Sequence, residues 1–193
     1  IFNRNILKKS KFVKNLEILD FSNFIENLSN RDLDKYDFII PCDDETLELI
    51  LNSNLSIEKK LKLLPVTCVE GFEHIFSKIA FSKILSQAGI STPKFLVANG
   101  VDEAKKAAEI LGYPVMIKIN SSNGGRGVAE CGEVGDFNNV GADFFNKPIL
   151  VQKKIIGSEL DLSAIYRDEK LIFFSYSKIQ KVIANKFGPS VLR

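Results

Sequence analysis

The stretch with the clearest capacity for chemistry reads Ser-Ser-Asn-Gly-Gly-Arg-Gly and runs over residues 121–127. Glycines reach backbone conformations that other residues avoid, and they let amide N–H groups approach anionic oxygens without a side chain in between. This pattern predicts a cover over a phosphate group, although an ordinary hairpin loop has a similar composition. The stretch is neither a P-loop, which requires Gly-Lys-Ser/Thr, nor the G-x-G-x-x-G turn of dinucleotide-binding folds.

Lys118 lies just before this loop, between the apolar residues Ile117 and Ile119. In a buried strand an unpaired ammonium group is costly, because it loses its hydration. Strand alternation could instead turn Lys118 to a solvated face of the sheet. Because the glycine-rich loop lies directly downstream, we predict that a phosphate group is the partner of Lys118.

Apolar periodicity indicates the elements that position these residues. A helix is predicted from about His74 to Ala88, ended by Gly89, and a second helix from Asp102 to Leu111, ended by Gly112. Apolar and β-branched runs predict strands at 95–97, 115–119, 128–130 and 148–152, and a hairpin formed by 160–166 and 171–174.

The first 75 residues show a different pattern. Phe21, Phe24, Ile25 and Leu28 make one helical face, and residues 36–40 are predicted to form a buried strand. Two further helices follow in the sequence, the first capped by Asp43 or Asp44 and the second capped by Ser56. Strands alternating with helices favour an α/β layer.

Composition excludes several classes of protein. The chain has 193 residues, with 26 Lys and Arg against 24 Asp and Glu, so its net charge is +2. This balance does not favour duplex nucleic acid as a partner, and no apolar run approaches the ~20 residues that span a bilayer. Three scattered cysteines fit a reducing cytoplasm, and the single histidine, His74, is interpreted as a structural or surface residue.

Four segments in this order resemble the ATP-grasp family, in particular its carbamoyl-phosphate-synthase-like and carboxylate–amine ligase members. They are Lys78 with the helix end at 88–93, then 111–118, 122–128 and 149–159. The resemblance implies a Rossmann-like pre-ATP-grasp α/β domain over residues 1–75, which is interpreted as partial. Residues 76–193 would then form the N-terminal part of the ATP-grasp domain, an α+β subdomain with antiparallel strands and an incomplete ATP-grasp fold.

The resemblance also implies roles for individual residues. Lys78 and Lys118 would reach the phosphates of ATP, and the loop would fold over them. The backbone near Gln152 would meet the adenine edge, and Glu159 would accept hydrogen bonds from the ribose. Gln152 stands where many members of the family carry Glu. The implied nucleotide-binding residues are Lys78, Lys118, Ser122, Asn123, Gly124, Gly125, Gly127, Gln152, Lys153, Ile155 and Glu159. From charge alone, Lys153 and Lys154 would otherwise be solvated surface groups.

A ligase is the function that the resemblance implies. Such enzymes use ATP to activate a carboxylate, bicarbonate or carbamate as an acyl phosphate, which an amine-type nucleophile then attacks. ATP and a small carboxylate would be the partners, with no nucleic acid or membrane, and a homo-oligomer or a complementary chain is an open expectation. The Mg²⁺ ligands are expected beyond Arg193, and no catalytic residue is assigned.

Two alternatives stay open at this point. One is a regulatory, non-catalytic nucleotide-binding module of the same fold, and the other is an α/β sugar-nucleotide or dinucleotide binder that uses the first 70 residues. Because the chain begins with Ile1 rather than Met and its first residues lack the features of a signal peptide, we interpret it as an excised fragment or as only the ordered residues of a protein, which we expect to be cytoplasmic.

Overall fold

The computed structural model describes residues 9–17, 21–122, 124–167, 169–182 and 190–192. The chain separates into two compact units, Ile1–Phe72 and Glu73–Arg193. The two domains assigned from the sequence, 1–75 and 76–193, stay a prediction.

The described residues of the first unit form three α-helices and short 3₁₀ turns. These are α1 (Phe24–Asn30), α2 (Asp44–Asn52) and α3 (Ile57–Leu63). As predicted, Asp43 caps α2 by accepting the N–H of Thr46, and Ser56 caps α3 by accepting the N–H of Lys59. The buried apolar side chains of this unit are Leu28, Leu33, Ile50, Leu55, Leu63 and Leu64.

The prediction of a buried strand at residues 36–40 is wrong. These residues form no strand, and Tyr36, Phe38 and Ile40 expose 53%, 45% and 64% of their surface. Between residues 9 and 72, outside the undescribed 18–20, the structure contains no strand that could pair with them. Aromatic and β-branched residues favour a pleated sheet only where a neighbouring strand supplies the hydrogen bonds. The predicted Rossmann-like layer is therefore not confirmed.

The second unit is built on a four-stranded antiparallel sheet. Its strands are β1 (Phe95–Ala98), β2 (Val115–Ile119), β3 (Val128–Cys131) and β4 (Ile149–Lys153). They lie in the order β1-β4-β2-β3, so β2 is hydrogen-bonded on both sides. All four strands agree with the sequence prediction to within a residue at each end.

Two helices complete this part of the unit, α4 (Lys78–Gln87) and α5 (Val101–Leu111). Ala104, Ala107 and Ala108 of α5 are buried in one apolar cluster with side chains from the sheet. Small residues at this helical spacing let the helix backbone come close to the strands. The cluster consists of Ala98, Ala104, Ala107, Ala108, Val115, Ile117, Cys131, Phe137, Ile149 and Val151.

The boundaries of α4 differ from the prediction at one end. The helix begins at Lys78, not at about His74, because Ser77 caps it and residues 69–74 form a separate 3₁₀ helix. At the other end Gly89 has φ +68°, the left-handed conformation that a glycine adopts after a helix. Gly112 follows α5 and also has a positive φ, +75°, with ψ 140°.

The predicted hairpin is confirmed and forms a separate two-stranded sheet. It consists of β5 (Leu160–Arg167) and β6 (Lys170–Lys178), and a short pair, β7 (Lys181–Val182) and β8 (Ser190–Leu192), follows. In the β5–β6 register Leu162 pairs with Tyr176 and Ala164 with Phe174, so these four side chains share a face. All four are exposed.

Among the described helices, none combines the length and the apolar character that a membrane span requires.

The buried thiol of Cys131 should be inert in the folded protein. Cys131 is fully buried whereas Cys42 and Cys68 are exposed, and burial raises the pKa of the Cys131 thiol to about 11. Because the thiolate is the reactive form, an alkylating reagent at pH 8 should modify Cys42 and Cys68 at once and Cys131 only after unfolding. Mass spectrometry with and without denaturant measures this, and rapid labelling of Cys131 in the native protein would contradict the packing described.

Candidate functional site

The position of Lys118 follows from the alternation of β2. Val115 and Ile117 are fully buried in the cluster under α5, so the intervening and following residues, Met116 and Lys118, lie on the opposite face of the sheet. In the register of β2 with β4, Lys118 pairs with Leu150 and Met116 with Gln152. Lys118 and Gln152 are therefore diagonal neighbours on this face.

Lys118 donates a hydrogen bond to Gln152. The distance from Nζ to Oε1 is 2.7 Å, and Gln152 is 6% exposed. A carboxamide oxygen is neutral, so the bond satisfies a donor without compensating the charge. Within the described ranges Lys118 forms no ion pair, and burial lowers its pKa. In the described part of the chain, the site thus contains a half-buried ammonium group without a carboxylate partner.

The first turn of α4 is joined to the residue that follows β2. The N–H of Lys78 donates to the carbonyl oxygen of Asn120 at 3.1 Å, and the N–H of Ile79 donates to Asn120 Oδ1 at 2.9 Å. Ser77 Oγ donates to the same Oδ1 at 3.0 Å and accepts the N–H of Ala80 at 3.0 Å. These bonds satisfy the N–H groups that a helix leaves unpaired in its first turn.

Lys78 contacts the glycine-rich loop through its side chain. Its Nζ donates to the carbonyl oxygen of Ser122 at 2.6 Å and to Ser122 Oγ at 3.0 Å. The structure therefore brings two of the predicted phosphate-binding residues together at the base of the loop.

The loop itself turns between β2 and β3 through its glycines. Gly124 has φ +56° and Gly125 has φ +75°, both in the region that favours glycine. The N–H of Ile119 donates to the carbonyl oxygen of Gly127 at 2.8 Å and closes the loop. A Cβ on Gly127 would lie 2.3 Å from Ser122 Oγ and 2.9 Å from Ile119 Cβ, so a larger residue does not fit there.

Lys153 and Lys154 are not the solvated charges that their composition suggests. Lys153 Nζ donates to the carbonyl oxygens of Gly112 and Tyr113, each at 2.9 Å. It thereby supplies a hydrogen-bond donor to carbonyl groups that follow the end of α5. Lys154 forms an ion pair with Glu130 of β3. The carbonyl dipoles and the carboxylate hold these two side chains within the unit. Lys153 was also predicted to bind nucleotide through its backbone, and its N–H already donates to the carbonyl oxygen of Lys94 at 2.8 Å.

The remaining predicted residues lie after β4. Ile155 is 65% exposed, and Glu159 is exposed as well, with its carbonyl oxygen accepting the N–H of Ile179 at 3.0 Å. Asn123 lies outside the described residues.

A cavity of about 330 Å³ lies beside the start of α4. Ser77 and Asn120 contribute to its wall, but Lys78, Lys118 and Gln152 do not, so this cavity is separate from the predicted phosphate contacts. Its lining residues are Glu73, His74, Ser77, Ile79, Ala80, Lys83, Ile84, Gln87 and Asn120.

The segment that contains Lys78, Lys118 and the glycine-rich loop is similar to known proteins. Residues 77–155 match the family model described as "Carbamoyl-phosphate synthase L chain, ATP binding domain". The carbamoyl phosphate synthase large chain of Thermotoga petrophila is 37% identical over 73 residues, which cover 38% of this chain and 7% of that protein. Residues 77–155 are therefore similar to the ATP-binding domain of carbamoyl phosphate synthase large chains.

Solved structures agree with the ATP-grasp fold. The phosphoribosylamine–glycine ligase of Thermotoga maritima matches with a TM-score of 0.61 at 15% identity, over 90% of this chain and 43% of that one. A RimK domain ATP-grasp protein from Sphaerobacter thermophilus matches with a TM-score of 0.51 at 19% identity, over 72% of this chain and 54% of that one. At these identities the likeness concerns the fold, and the chain covers about half or less of each structure's length.

Sequence reasoning missed two residues of this ATP-grasp segment, Ser77 and Asn120. The Ser77 cap had a local signal, because a serine directly before Lys78 is a favoured N-cap residue. The role of Asn120 had none, since it depends on a contact between residues more than 40 positions apart along the chain.

Replacing Gly127 should destabilise the loop. The Cβ of Gly127→Ala would push against Ser122 and Ile119, and we expect the free energy of unfolding to fall by about 1–3 kcal/mol. Gly141→Ala is the matched control, because its φ is −55° and its Cβ would meet nothing within 4 Å. Chemical denaturation of both variants checks the expectation, and an equal effect in the two would refute it.

Introducing a carboxylate beside Lys118 should raise its pKa. In Gln152→Glu the new charge would lie at hydrogen-bond distance from Nζ and would stabilise the protonated ammonium. Carbon-13 NMR titration of the lysine side chains measures this shift to higher pH. Gln87→Glu, on the exposed side of α4, is the control and should leave the Lys118 titration in place. A Lys118 pKa that stays the same or falls in Gln152→Glu would show that the two groups are not in contact.

Proposed function

We propose that the second unit binds the phosphates of ATP through Lys118 and Lys78. The observation that carries this proposal is the hydrogen bond of half-buried Lys118 to the neutral side chain of Gln152. An ammonium group that has lost hydration without gaining a carboxylate favours an anionic ligand. A phosphate oxygen supplies that charge.

The surroundings of Lys118 support the same ligand. The glycine-rich loop begins three residues later, and a Cβ added to Gly124 at its tip would meet no atom within 4 Å, so the backbone there is open to a ligand. Lys78 already contacts Ser122 at the base of the loop. Two ammonium groups and backbone amides would then surround one phosphate chain, which is the usual way proteins stabilise phosphoryl transfer.

The finer roles of the other predicted residues stay part of the proposal. Ser122, Asn123, Gly124, Gly125 and Gly127 would cover the phosphates, and Ile155 with the backbone around Gln152 and Lys153 would meet the adenine. Because the N–H groups of Lys153 and Lys154 donate to Lys94 and Pro114, an adenine contact would use other backbone groups of this segment. Exposed Glu159 would accept from the ribose hydroxyls.

The reaction that we propose for the natural protein is a ligation. The γ-phosphoryl group passes from ATP to a carboxylate oxygen, which gives ADP and an acyl phosphate. An amine-type nucleophile then attacks the acyl carbon and displaces phosphate. The match of residues 77–155 to an ATP-binding domain model supports this chemistry, and Lys118 and Lys78 would neutralise charge on the transferred group.

Magnesium is expected with ATP in such a reaction. No three His, Cys, Asp or Glu side chains among the described residues lie close enough to hold a metal ion. We therefore assign no residue of this chain to the metal and no step of the reaction to it.

Removing the Lys118 ammonium should abolish the ATP-dependent reaction. In the natural full-length protein, Lys118→Met keeps the length of the side chain but removes the charge, and we expect ADP release to fall by about 100-fold or more. Calorimetric titration with ATP and a coupled assay of ADP release measure binding and turnover. The exposed Lys106→Met in α5 is the matched control and should retain both.

If Lys118→Met folds, as circular dichroism would show, and still binds ATP and releases ADP at the normal rate, Lys118 does not contact the phosphates.

A further inference from the structure

Asn120 occupies a junction between the two elements that carry the lysines. It is the first residue after β2, two positions after Lys118. Through its carbonyl oxygen and its Oδ1 it accepts the N–H groups of Lys78 and Ile79, the first two residues of α4. A single residue therefore bonds to the backbone of Lys78 and is separated by one residue from Lys118.

Ser77 strengthens this junction. Its hydroxyl donates to Asn120 Oδ1 and its Oγ accepts the N–H of Ala80, so Oδ1 receives two hydrogen bonds. Asn120 and Ser77 are both half-buried. Because these hydrogen bonds are partly shielded from water, they hold the start of α4 at a defined distance and orientation relative to the end of β2.

We propose that Asn120 is a positioning residue for nucleotide binding, which holds the start of α4 against the end of β2 so that Lys78 and Lys118 meet one phosphate chain. This inference rests on the proposed function. Without the junction the ammonium group of Lys78 would sample a wider volume, and the ordering of that side chain would oppose ATP binding.

A carboxamide suits this role better than the other acceptor side chains. A serine at position 120 would place its oxygen closer to β2 and short of the N–H of Ile79. An aspartate would accept the same bonds, but it would bring a negative charge between two groups that are to bind phosphate. Asn120 supplies the acceptor without the charge.

The alternative is that Asn120 only caps a helix. In that case its removal would lower the stability of the unit and loosen every part of it, with no special link to Lys78. The two roles make different predictions for a double-mutant cycle, because residues that act through one another have non-additive effects.

The experiment measures ATP affinity by calorimetry for four forms of the natural full-length protein: wild type, Asn120→Ala, Lys78→Ala and the double variant. We expect Asn120→Ala to weaken ATP binding about tenfold. In the Lys78→Ala background the same change should have no further effect, since the group that Asn120 positions is already gone. Additive losses in the double variant would overturn the proposal.

A control separates positioning from general loosening. Asn99 donates to Glu103 at the start of α5, in the same unit, at 3.3 Å. Asn99→Ala should lower the melting temperature to a similar degree but leave ATP affinity unchanged. An equal loss of affinity in Asn99→Ala and Asn120→Ala would overturn the proposal as well.

Three further cases are distinguishable. If Asn120→Ala does not fold, the cycle is run with Ser77→Ala, which removes one of the two bonds to Oδ1, and the same non-additivity is expected. If wild type does not bind ATP, the proposed function fails and this inference fails with it. If wild type binds ATP and the cycle is additive, only this inference fails.

Discussion

The alternation of one central strand organises the second unit. Val115 and Ile117 can be buried under α5 only if Met116 and Lys118 lie on the other face of the sheet. Strand β2 is hydrogen-bonded to a neighbouring strand on both sides. A one-residue slip in its register would turn the ammonium group of Lys118 into the apolar cluster and an isoleucine to the opposite face. The position of Lys118 is thus fixed by the burial of its neighbours. Gln152 accepts a hydrogen bond from Lys118, and Asn120 directly follows the strand that carries it.

Where the sequence carries its own local signal, the structure could be predicted. The four strands of the sheet, the alanine face of α5, the caps Asp43 and Ser56, and the hairpin β5–β6 all follow from periodicity and capping within a few residues. The ATP-grasp resemblance of the segment that includes Lys118 and the loop could also be recognised, and the family comparison confirms it.

The rest depends on contacts between distant residues. Residues 36–40 have the composition of a strand, yet the described part of their unit offers no strand to pair with. The charges of Lys153 and Lys154 resemble surface charges in the sequence, and only the fold shows that carbonyl oxygens and Glu130 hold them. Asn120 is likewise an unremarkable polar residue until the start of α4 is placed beside it. Local rules predict which element forms, whereas partners across the fold decide what a polar side chain does.

The first turn of α4 has one more consequence. Its N–H groups are already satisfied by Asn120 and Ser77, so the positive end of this helix is occupied by the protein's own oxygens. A phosphate arriving here would meet ammonium groups, whereas in a P-loop it meets the amides of a helix terminus. An amide keeps its partial charge at any pH, but the ammonium of Lys118 can lose its proton, and burial already lowers its pKa. The anion binding proposed at this face would therefore depend on pH.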